Sequence, residues 1–180
     1  KVWRQLKPIL KAEKVDYRVH AFHSEGELVT YVKRLTGGQC VKECHIVVLG
    51  GDGTLNLVLN SMEDMEHTRL SCIRVGSGND FARNVGVEKA SVKALLHLLN
   101  EPEEIVLDYG EVEYVMPDGK NRKRRFIISS GIGYDADICE EVSRSKLKRV
   151  LNVLHLGKLV YVIIGIKQIF TRANTKVKLY

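Results

Sequence analysis

The sequence predicts an α/β protein with a parallel sheet, followed by the start of a β-rich region. Short apolar runs alternate with stretches in which apolar residues recur at helical spacing, as in strands joined by helical crossovers. After residue 102 the pattern changes to consecutive strand-like segments with only a turn between them. We therefore expect an α/β domain over residues 1–103 and a partial β-rich domain over 104–180.

The first part reads as alternating helices and strands. Ser24 and Glu27 form the capping-box pattern S-x-x-E, which predicts a helix start, and Gly37–Gly38 predict its end. Residues 45–49 are a short continuous apolar run, which favours a fully buried parallel strand. The other elements expected here are helices over 2–10, 55–62 and 92–99 and strands over 17–21 and 70–75.

The second part begins with two strand-like segments, 105–116 and 125–130. Between them lies Pro117-Asp118-Gly119, a turn signal. Further along we expect helices over about 137–149 and 157–170 and a last strand beginning at Thr175.

Composition and charge limit the classes of protein that fit. With 180 residues, 44% of them apolar and 28% charged, the chain is an ordinary globular sequence rather than a disordered, collagen-like or disulfide-knotted one. The net charge of +6 is uneven, because Val142–Tyr180 contains nine Lys and Arg but no Asp or Glu. Such a basic end predicts contact with an anionic surface, for which phospholipid, nucleic acid and phosphorylated substrates all qualify.

The cysteines and the apolar stretches give weaker signals. Cys40, Cys44 and His45 lack the second ligand pair of a structural zinc site, so we favour reduced thiols and a cytoplasmic protein. The apolar stretch 150–166 is shorter than the roughly 20 residues that span a bilayer. Because the sequence opens at Lys1 inside a helical pattern, we expect it to be a piece of a longer protein.

The most informative motif is Gly50-Gly51-Asp52-Gly53-Thr54, which lies between a strand and a helix. In a parallel sheet this junction is at the carboxyl edge, where glycine amides and a helix N-terminus favour phosphate. Asp52 could hold Mg²⁺ or accept a proton from a hydroxyl, and Thr54 could donate to a phosphate oxygen. The structural alternative is a plain glycine-rich turn in which Asp52 and Thr54 are caps.

A second loop, Gly76-Ser77-Gly78-Asn79-Asp80, follows the next predicted strand. If the two strands are neighbours, both loops face one crevice, and each brings an aspartate. Small residues, backbone amides and two carboxylates suit phosphoryl transfer, which depends mainly on positioning and charge neutralisation.

Other catalytic motifs do not fit. Ser77 lacks the G-x-S-x-G context of a hydrolase nucleophile, and the P-loop pattern does not occur. The run Gly131-x-Gly133-x-x-Ala136 imitates a dinucleotide fingerprint, but no acidic residue after Glu141 could hold a ribose. We favour a tight strand-to-helix turn there.

Three segments resemble the diacylglycerol kinase catalytic-domain family, which includes bacterial lipid kinases and the sphingosine and ceramide kinases. They are GGDGTLN at 50–56, GSGNDFAR at 76–83 and GIGYDA at 131–136. The first is shared with NAD kinases and phosphofructokinases, whereas the second is far more specific to the lipid-kinase branch. The resemblance covers nearly the whole chain.

The resemblance implies a two-domain kinase with ATP in the cleft between a phosphofructokinase-like α/β layer and a β-rich sandwich. It implies that Asp52 and Asp80 are catalytic and linked to Mg²⁺. By the same resemblance, Gly50, Gly51, Gly53 and Thr54 would contact the nucleotide phosphates, and Gly76, Ser77, Gly78 and Asn79 would shape the nucleotide pocket.

The sequence departs from the family at Leu57, where a glutamate is usual, and at Arg74, where a proline is usual. An early Asn-Pro nucleotide contact and a later Asp-Gly-Glu-type motif would lie beyond Lys1 and Tyr180. We therefore expect this chain to be weakly active or inactive and its longer parent to be a kinase.

The basic segments bear on partners and location. Lys120 and the run 122–125 crowd one predicted hairpin, and four more cations lie in 144–149. They suit a lipid substrate at an anionic membrane surface, with the protein cytoplasmic and peripheral to the membrane, although a merely solvated hairpin and helix face fit equally well. Nucleic acid is disfavoured because no binding motif or interleaved aromatic residues accompany the charges. A homodimer is possible through exposed sheet edges.

The leading function is therefore a lipid kinase that transfers the ATP γ-phosphate to a diacylglycerol-like hydroxyl. A superfamily kinase of a soluble substrate such as NAD is one alternative. A nucleotide-binding module without turnover is the other.

Overall fold

The computed structural model describes residues 2–38, 43–75, 79–86, 94, 96–98, 104–144 and 157–171. The chain divides into two compact units, Lys1–Ile128 and Ser129–Tyr180. The elements of the first unit are α1 (Val2–Ala12), α2 (Glu25–Thr36), β1 (Cys44–Gly50), α3 (Asp52–Ser61), β2 (Thr68–Arg74), α4 (Asp80–Asn84), β3 (Gly110–Val115) and β4 (Asn121–Phe126). Those of the second are α5 (Tyr134–Arg144) and α6 (Gly157–Thr171).

The parallel sheet predicted from the alternation is present as the pair β1–β2. The strands run in register from Cys44 opposite Thr68 to Gly50 opposite Arg74, with α3 as the crossover. One further hydrogen bond, from the N–H of Val75 to the carbonyl of Gly50 (3.2 Å), holds the ends of the two strands together where they leave the sheet. Both strands thus end at the same edge, as an α/β arrangement requires.

The core lies mainly on one face of this pair. Val48 packs there with residues of α2 and α3, and on the other face Ile73 of β2 packs against α1. The expectation that β1 is fully buried is wrong, because Val47 and Leu49 are 36% and 39% exposed. Among the described residues α1 covers Ile73 but leaves the same face of β1 open. The α2–α3 core contains Leu28, Val32, Val48, Leu55, Val58 and Met62.

The capping box at the start of α2 is confirmed. Ser24 Oγ accepts a hydrogen bond from the N–H of Glu27 (3.2 Å), and the Glu27 carboxylate accepts one from the N–H of His23 (3.0 Å). At the other end Thr36 is fully buried, and its hydroxyl accepts from the N–H of Glu63 (3.0 Å). This contact ties the end of α2 to the turn that follows α3.

Two other expectations differ from the structure or fall outside it. Residues 17–21 have no regular secondary structure, because no described strand lies beside them to supply ladder partners. The predicted helix over 92–99 lies largely outside the described residues, and so does the strand beginning at Thr175.

The second strand pair is an antiparallel hairpin, β3–β4, with Gly110 opposite Phe126. The predicted turn is present: the N–H of Gly119 donates to the carbonyl of Met116 (2.8 Å), and Gly119 has a positive φ of 78°. The strand bounds were misplaced, since 104–109 is irregular and β4 starts at Asn121, four residues early. The basic run therefore belongs to a strand, where the ladder overrides the low β-propensity of charged residues.

The hairpin is fixed to α3 by a reciprocal contact. Asn60 accepts from the N–H of Arg125 (2.8 Å) and donates to its carbonyl (2.9 Å), so the amide acts as a ladder partner at the edge of β4. The Arg125 guanidinium donates to the carbonyls of Leu59 (3.3 Å) and Met62 (3.1 Å) at the end of α3. These bonds satisfy groups that a helix C-terminus leaves unpaired.

In the second unit α5 and α6 pack through Val142 and Ile164, with Ile138 beside them. The Tyr134 hydroxyl donates to the carbonyl of Gly165 (2.7 Å). These helices correspond to the predicted ones, although α5 begins at Tyr134 rather than 137 and residues 145–156 lie outside the described part. None of the described helices has the length and apolar character needed to cross a membrane.

Candidate functional site

The first glycine loop joins β1 directly to α3. The helix begins at Asp52 with Gly51 as N-cap, and Gly51 supplies no side chain to bond the first amides of the helix. A β-carbon on Gly50 would lie 2.9 Å from Cβ of Thr54, so only glycine lets the helix turn back so closely over the strand end. A β-carbon on Gly53 would meet nothing within 4 Å. The loop thus presents backbone at a helix N-terminus, a position that in proteins generally favours phosphate.

Asp52 connects the two glycine loops. Its carboxylate accepts a hydrogen bond from the N–H of Asp80 (2.9 Å) and a longer one from the N–H of Phe81 (3.3 Å). Both donors are in the first turn of α4, so Asp52 supplies the cap that the side chain of Asn79, the N-cap residue, does not. The aspartate of the first loop therefore holds the end of the second.

The second loop ends on a backbone conformation that favours asparagine. Asn79 has φ 57° and ψ 48°, the left-handed region that asparagine enters more readily than most residues, and it is buried. The Asp80 carboxylate is exposed and forms an ion pair with Arg83. Residues Gly76, Ser77 and Gly78, predicted to shape the nucleotide pocket, lie outside the described residues.

A small cleft lies where the two loops meet. Of the predicted site residues it brings together Gly50, Gly51, Asp52 and Asn79. Its other lining residues, to which the sequence analysis gave no role, are Leu55, Cys72 and Ala82. Leu55 and Ala82 lie within the two quoted glycine-loop segments, which is the signal that could have found them, whereas nothing in the local pattern marks Cys72 as a cleft residue.

The residues at the cleft offer too few ligands to enclose a metal ion by themselves. They are better suited to a cation that a phosphate group also binds. Among the described residues no group of three or more His, Cys, Asp or Glu could hold an ion. Each oxygen of the Asp52 carboxylate accepts one backbone hydrogen bond, which leaves acceptor capacity on both. Mg²⁺ is commonly held by one or two carboxylates, waters and substrate phosphates, and Asp52 is the carboxylate of this kind that lines the cleft.

The departure at Leu57 has a structural explanation. Its side chain is partly buried and packs against the α2–α3 core. An apolar residue here adds to the packing of α3 behind the cleft.

A parallel strand pair joined by a helical crossover, with a glycine turn leading from the first strand into that helix, defines an α/β protein. Comparison with known families gives the particular one: the diacylglycerol kinase catalytic domain matches residues 1–112. The chain belongs to that family, as its three segments indicated. No solved structure matches the chain.

Curated relatives extend the similarity to most of the sequence. The Bacillus subtilis (strain 168) protein named "Putative lipid kinase YtlR" is 27% identical over 161 residues, which is 89% of this chain and 52% of that protein. Lipid kinase YegS of Escherichia coli (strain K12) is 27% identical over 91% of the chain and 50% of its own length. Diacylglycerol kinase of B. subtilis (strain 168) is 28% identical over 74% of the chain and 40% of its own length. The chain thus spans about half the length of the first two relatives and 40% of the third.

Proposed function

We propose that the protein to which this chain belongs is a lipid kinase, which transfers the γ-phosphate of ATP to the hydroxyl of diacylglycerol or a similar lipid. The observation that carries the proposal is the position of Asp52, whose carboxylate joins two glycine loops at the carboxyl edge of a parallel strand pair. Family membership and relatives named as lipid kinases support it.

In this proposal the loops bind the nucleotide. Amides at the start of α3 and the Thr54 hydroxyl contact the phosphates, and the loop that ends in Asn79 shapes the rest of the pocket. We place β1, β2 and α3 in the phosphofructokinase-like layer, and the β-rich sandwich would begin at the β3–β4 hairpin. ATP lies against the first of these.

Mg²⁺ is proposed to bind at Asp52 and Asp80. When bound, the ion neutralises charge on the phosphates. The carboxylate of Asp80 is exposed and pairs with Arg83, and it would contact the ion as well. Asp52 keeps its hydrogen bonds to α4 while it uses its remaining lone pairs.

The chemical step is a displacement at phosphorus. The lipid hydroxyl oxygen forms a bond to the γ-phosphorus as the bond from that phosphorus to the bridging oxygen of ADP breaks, and the hydroxyl proton passes to Asp52. Such a step depends mostly on positioning and charge neutralisation, which two loops held by one carboxylate provide. The substrate requires the protein to work at a membrane surface, as a cytoplasmic protein peripheral to the bilayer.

The test uses the full-length parent, labelled ATP, Mg²⁺ and a total lipid extract. We expect label in the organic phase with the unaltered parent and a loss of roughly a hundredfold to ten-thousandfold in Asp52→Asn, the usual range for removal of an acid–base group. The matched control is Asp64→Asn, because Asp64 is an aspartate of the same unit that contacts His67 and does not line the cleft.

Two results would overturn the proposal. Label in a water-soluble product alone would favour a soluble acceptor such as NAD. ATP binding with no transfer to any acceptor would favour a nucleotide-binding module without turnover. Equal losses in Asp52→Asn and Asp64→Asn would remove the argument for Asp52.

A further inference from the structure

The charged side chains of the β3–β4 hairpin are distributed unequally between its two faces. Side chains alternate along a strand, so Glu111 and Glu113 of β3 lie on the same face as Lys123 of β4. On the opposite face β4 contributes Arg122, Arg124 and Phe126, and its two arginines have no acidic neighbour in the strand pair.

Three of the five cations in this hairpin have partners within the protein. Lys120 lies 3.6 Å from the Asp118 carboxylate at the turn. Lys123 contacts Glu113 at 2.5 Å and Glu111 at 3.0 Å, and these hydrogen bonds raise its pKa. Arg125 donates to carbonyls at the end of α3. Most of the basic run is therefore engaged within the protein, two cations by carboxylates and one by backbone carbonyls.

Arg122 and Arg124 are the exceptions. Within the described part of the chain neither forms an ion pair or a side-chain hydrogen bond, and both are exposed. In the ladder Arg122 lies opposite Tyr114 and Arg124 opposite Val112. We call these four residues the arginine face. It consists of the guanidinium groups of Arg122 and Arg124, the exposed Tyr114 and the partly buried Val112.

We propose that the arginine face docks the protein on an anionic phospholipid bilayer. Guanidinium groups bind phosphate oxygens in two-point contacts, and their aliphatic stems can lie against apolar surface while the charge stays at headgroup level. Tyrosine is favoured at the membrane–water interface for the same reason. A nucleic acid fits this face less well, because one tyrosine is no stacking platform for successive bases.

The hairpin is suited to act as a firm attachment point. Asn60 and Arg125 bond β4 to the C-terminal part of α3, and the N-terminus of α3 is the glycine loop. A bilayer bound at the arginine face would thus be connected through one ten-residue helix to the cleft. This inference rests on the proposed function, for which a lipid surface is the place of work.

The experiment measures binding of this chain to sedimented vesicles without ATP or substrate. The vesicles contain phosphatidylcholine with or without about 30% phosphatidylglycerol, a composition we choose to mimic an anionic membrane. The test variant is Arg122→Gln/Arg124→Gln, and the matched control Lys120→Gln/Lys123→Gln removes the same charge from the same hairpin. We expect the partition coefficient on anionic vesicles to fall about 30-fold in the arginine variant, at roughly tenfold for every one to two surface cations lost, and less than about threefold in the lysine variant.

The outcomes are decisive in either direction. Equal losses in both variants would show that only net charge matters and would overturn the proposal, as would equal binding to neutral and anionic vesicles or no binding to either. Circular dichroism and an unchanged thermal midpoint exclude unfolding of the variants, whose altered side chains are exposed. Failure of the kinase proposal is separable, because vesicle binding by Asp52→Asn should equal that of the unaltered chain.

Discussion

The substitution Gly53→Ala should change the stability of the fold and its affinity for MgATP in opposite directions. The residue is exposed, is the second residue of α3, and is not among the described glycines with positive φ. An added β-carbon would meet no atom within 4 Å. Alanine at such a position restricts the unfolded chain without strain in the folded one, so we expect the free energy of unfolding to rise by about 0.4–1 kcal/mol.

The effect on nucleotide binding should have the opposite sign. If a phosphate lies against the backbone at Gly53, the methyl group occupies the space that the phosphate needs. Overpacking of a close contact costs about 1–3 kcal/mol, which corresponds to a roughly fivefold to 150-fold weaker affinity for MgATP. Urea unfolding without nucleotide and calorimetric titration with MgATP measure the two quantities on the same protein.

Gly50→Ala is the matched control in the same loop. Its β-carbon would lie 2.9 Å from Cβ of Thr54, so we expect it to destabilise the fold by about 1–3 kcal/mol before any ligand is added. A Gly53→Ala variant that is more stable and still binds MgATP with full affinity would refute the phosphate-loop argument.

Two further predictions concern the first unit. Asn60→Ala removes both hydrogen bonds to the backbone of Arg125 and should lower the free energy of unfolding by about 2 kcal/mol in a urea titration. The control Asn121→Ala changes an exposed residue of the hairpin and should alter that free energy by less than about 0.5 kcal/mol. Similar values for the two variants would refute the role of Asn60 as an anchor. The carboxylate of Asp64 raises the pKa of His67, and hydrogen bonds from His67 lower the pKa of Asp64, so this pair stabilises the fold where both are charged. The stability advantage over His67→Gln should therefore be largest between the ordinary values of 3.8 and 6.5 and should decline as the pH rises through the folded pKa of His67 or falls through that of Asp64, as urea midpoints across pH would show.

Local chemistry made part of this structure predictable. The capping box at Ser24, the turn at Gly119 and the glycine loop at Gly50 each depend on residues within a few positions of one another, and all three are present. The parallel pairing of β1 and β2 followed from alternation alone. Such patterns do not reveal which segment lies beside another. Residues 17–21 therefore alternate as a strand would but form none, because no described strand pairs with them.

The contacts that the sequence did not reveal join distant positions. The Asn60–Arg125 anchor spans 65 positions, and no feature of a single asparagine in a helix distinguishes it from a solvated one. The same limit applies to the basic run, since the partners of Lys123 come from the opposite strand and only the register decides which cations are neutralised. Charge along a sequence therefore overstated the free charge of the hairpin.

The bridge from Asp52 to α4 gives the site a coupling that neither loop has by itself. A five-residue helix is too short to be stable alone, and the side chain of Asn79 does not cap it, so α4 depends on the carboxylate of Asp52 and on packing. Removal of that carboxylate should then loosen α4 as well as remove a charge, whereas Asp52→Asn removes the charge but keeps one acceptor oxygen and so one of the two hydrogen bonds to α4. We expect Asp52→Ala to lose both MgATP affinity and protection of the α4 amides from hydrogen exchange. Asp52→Asn should keep more of that protection than Asp52→Ala and yet lose turnover. Such a difference would separate the structural role of this aspartate from its proposed chemical one.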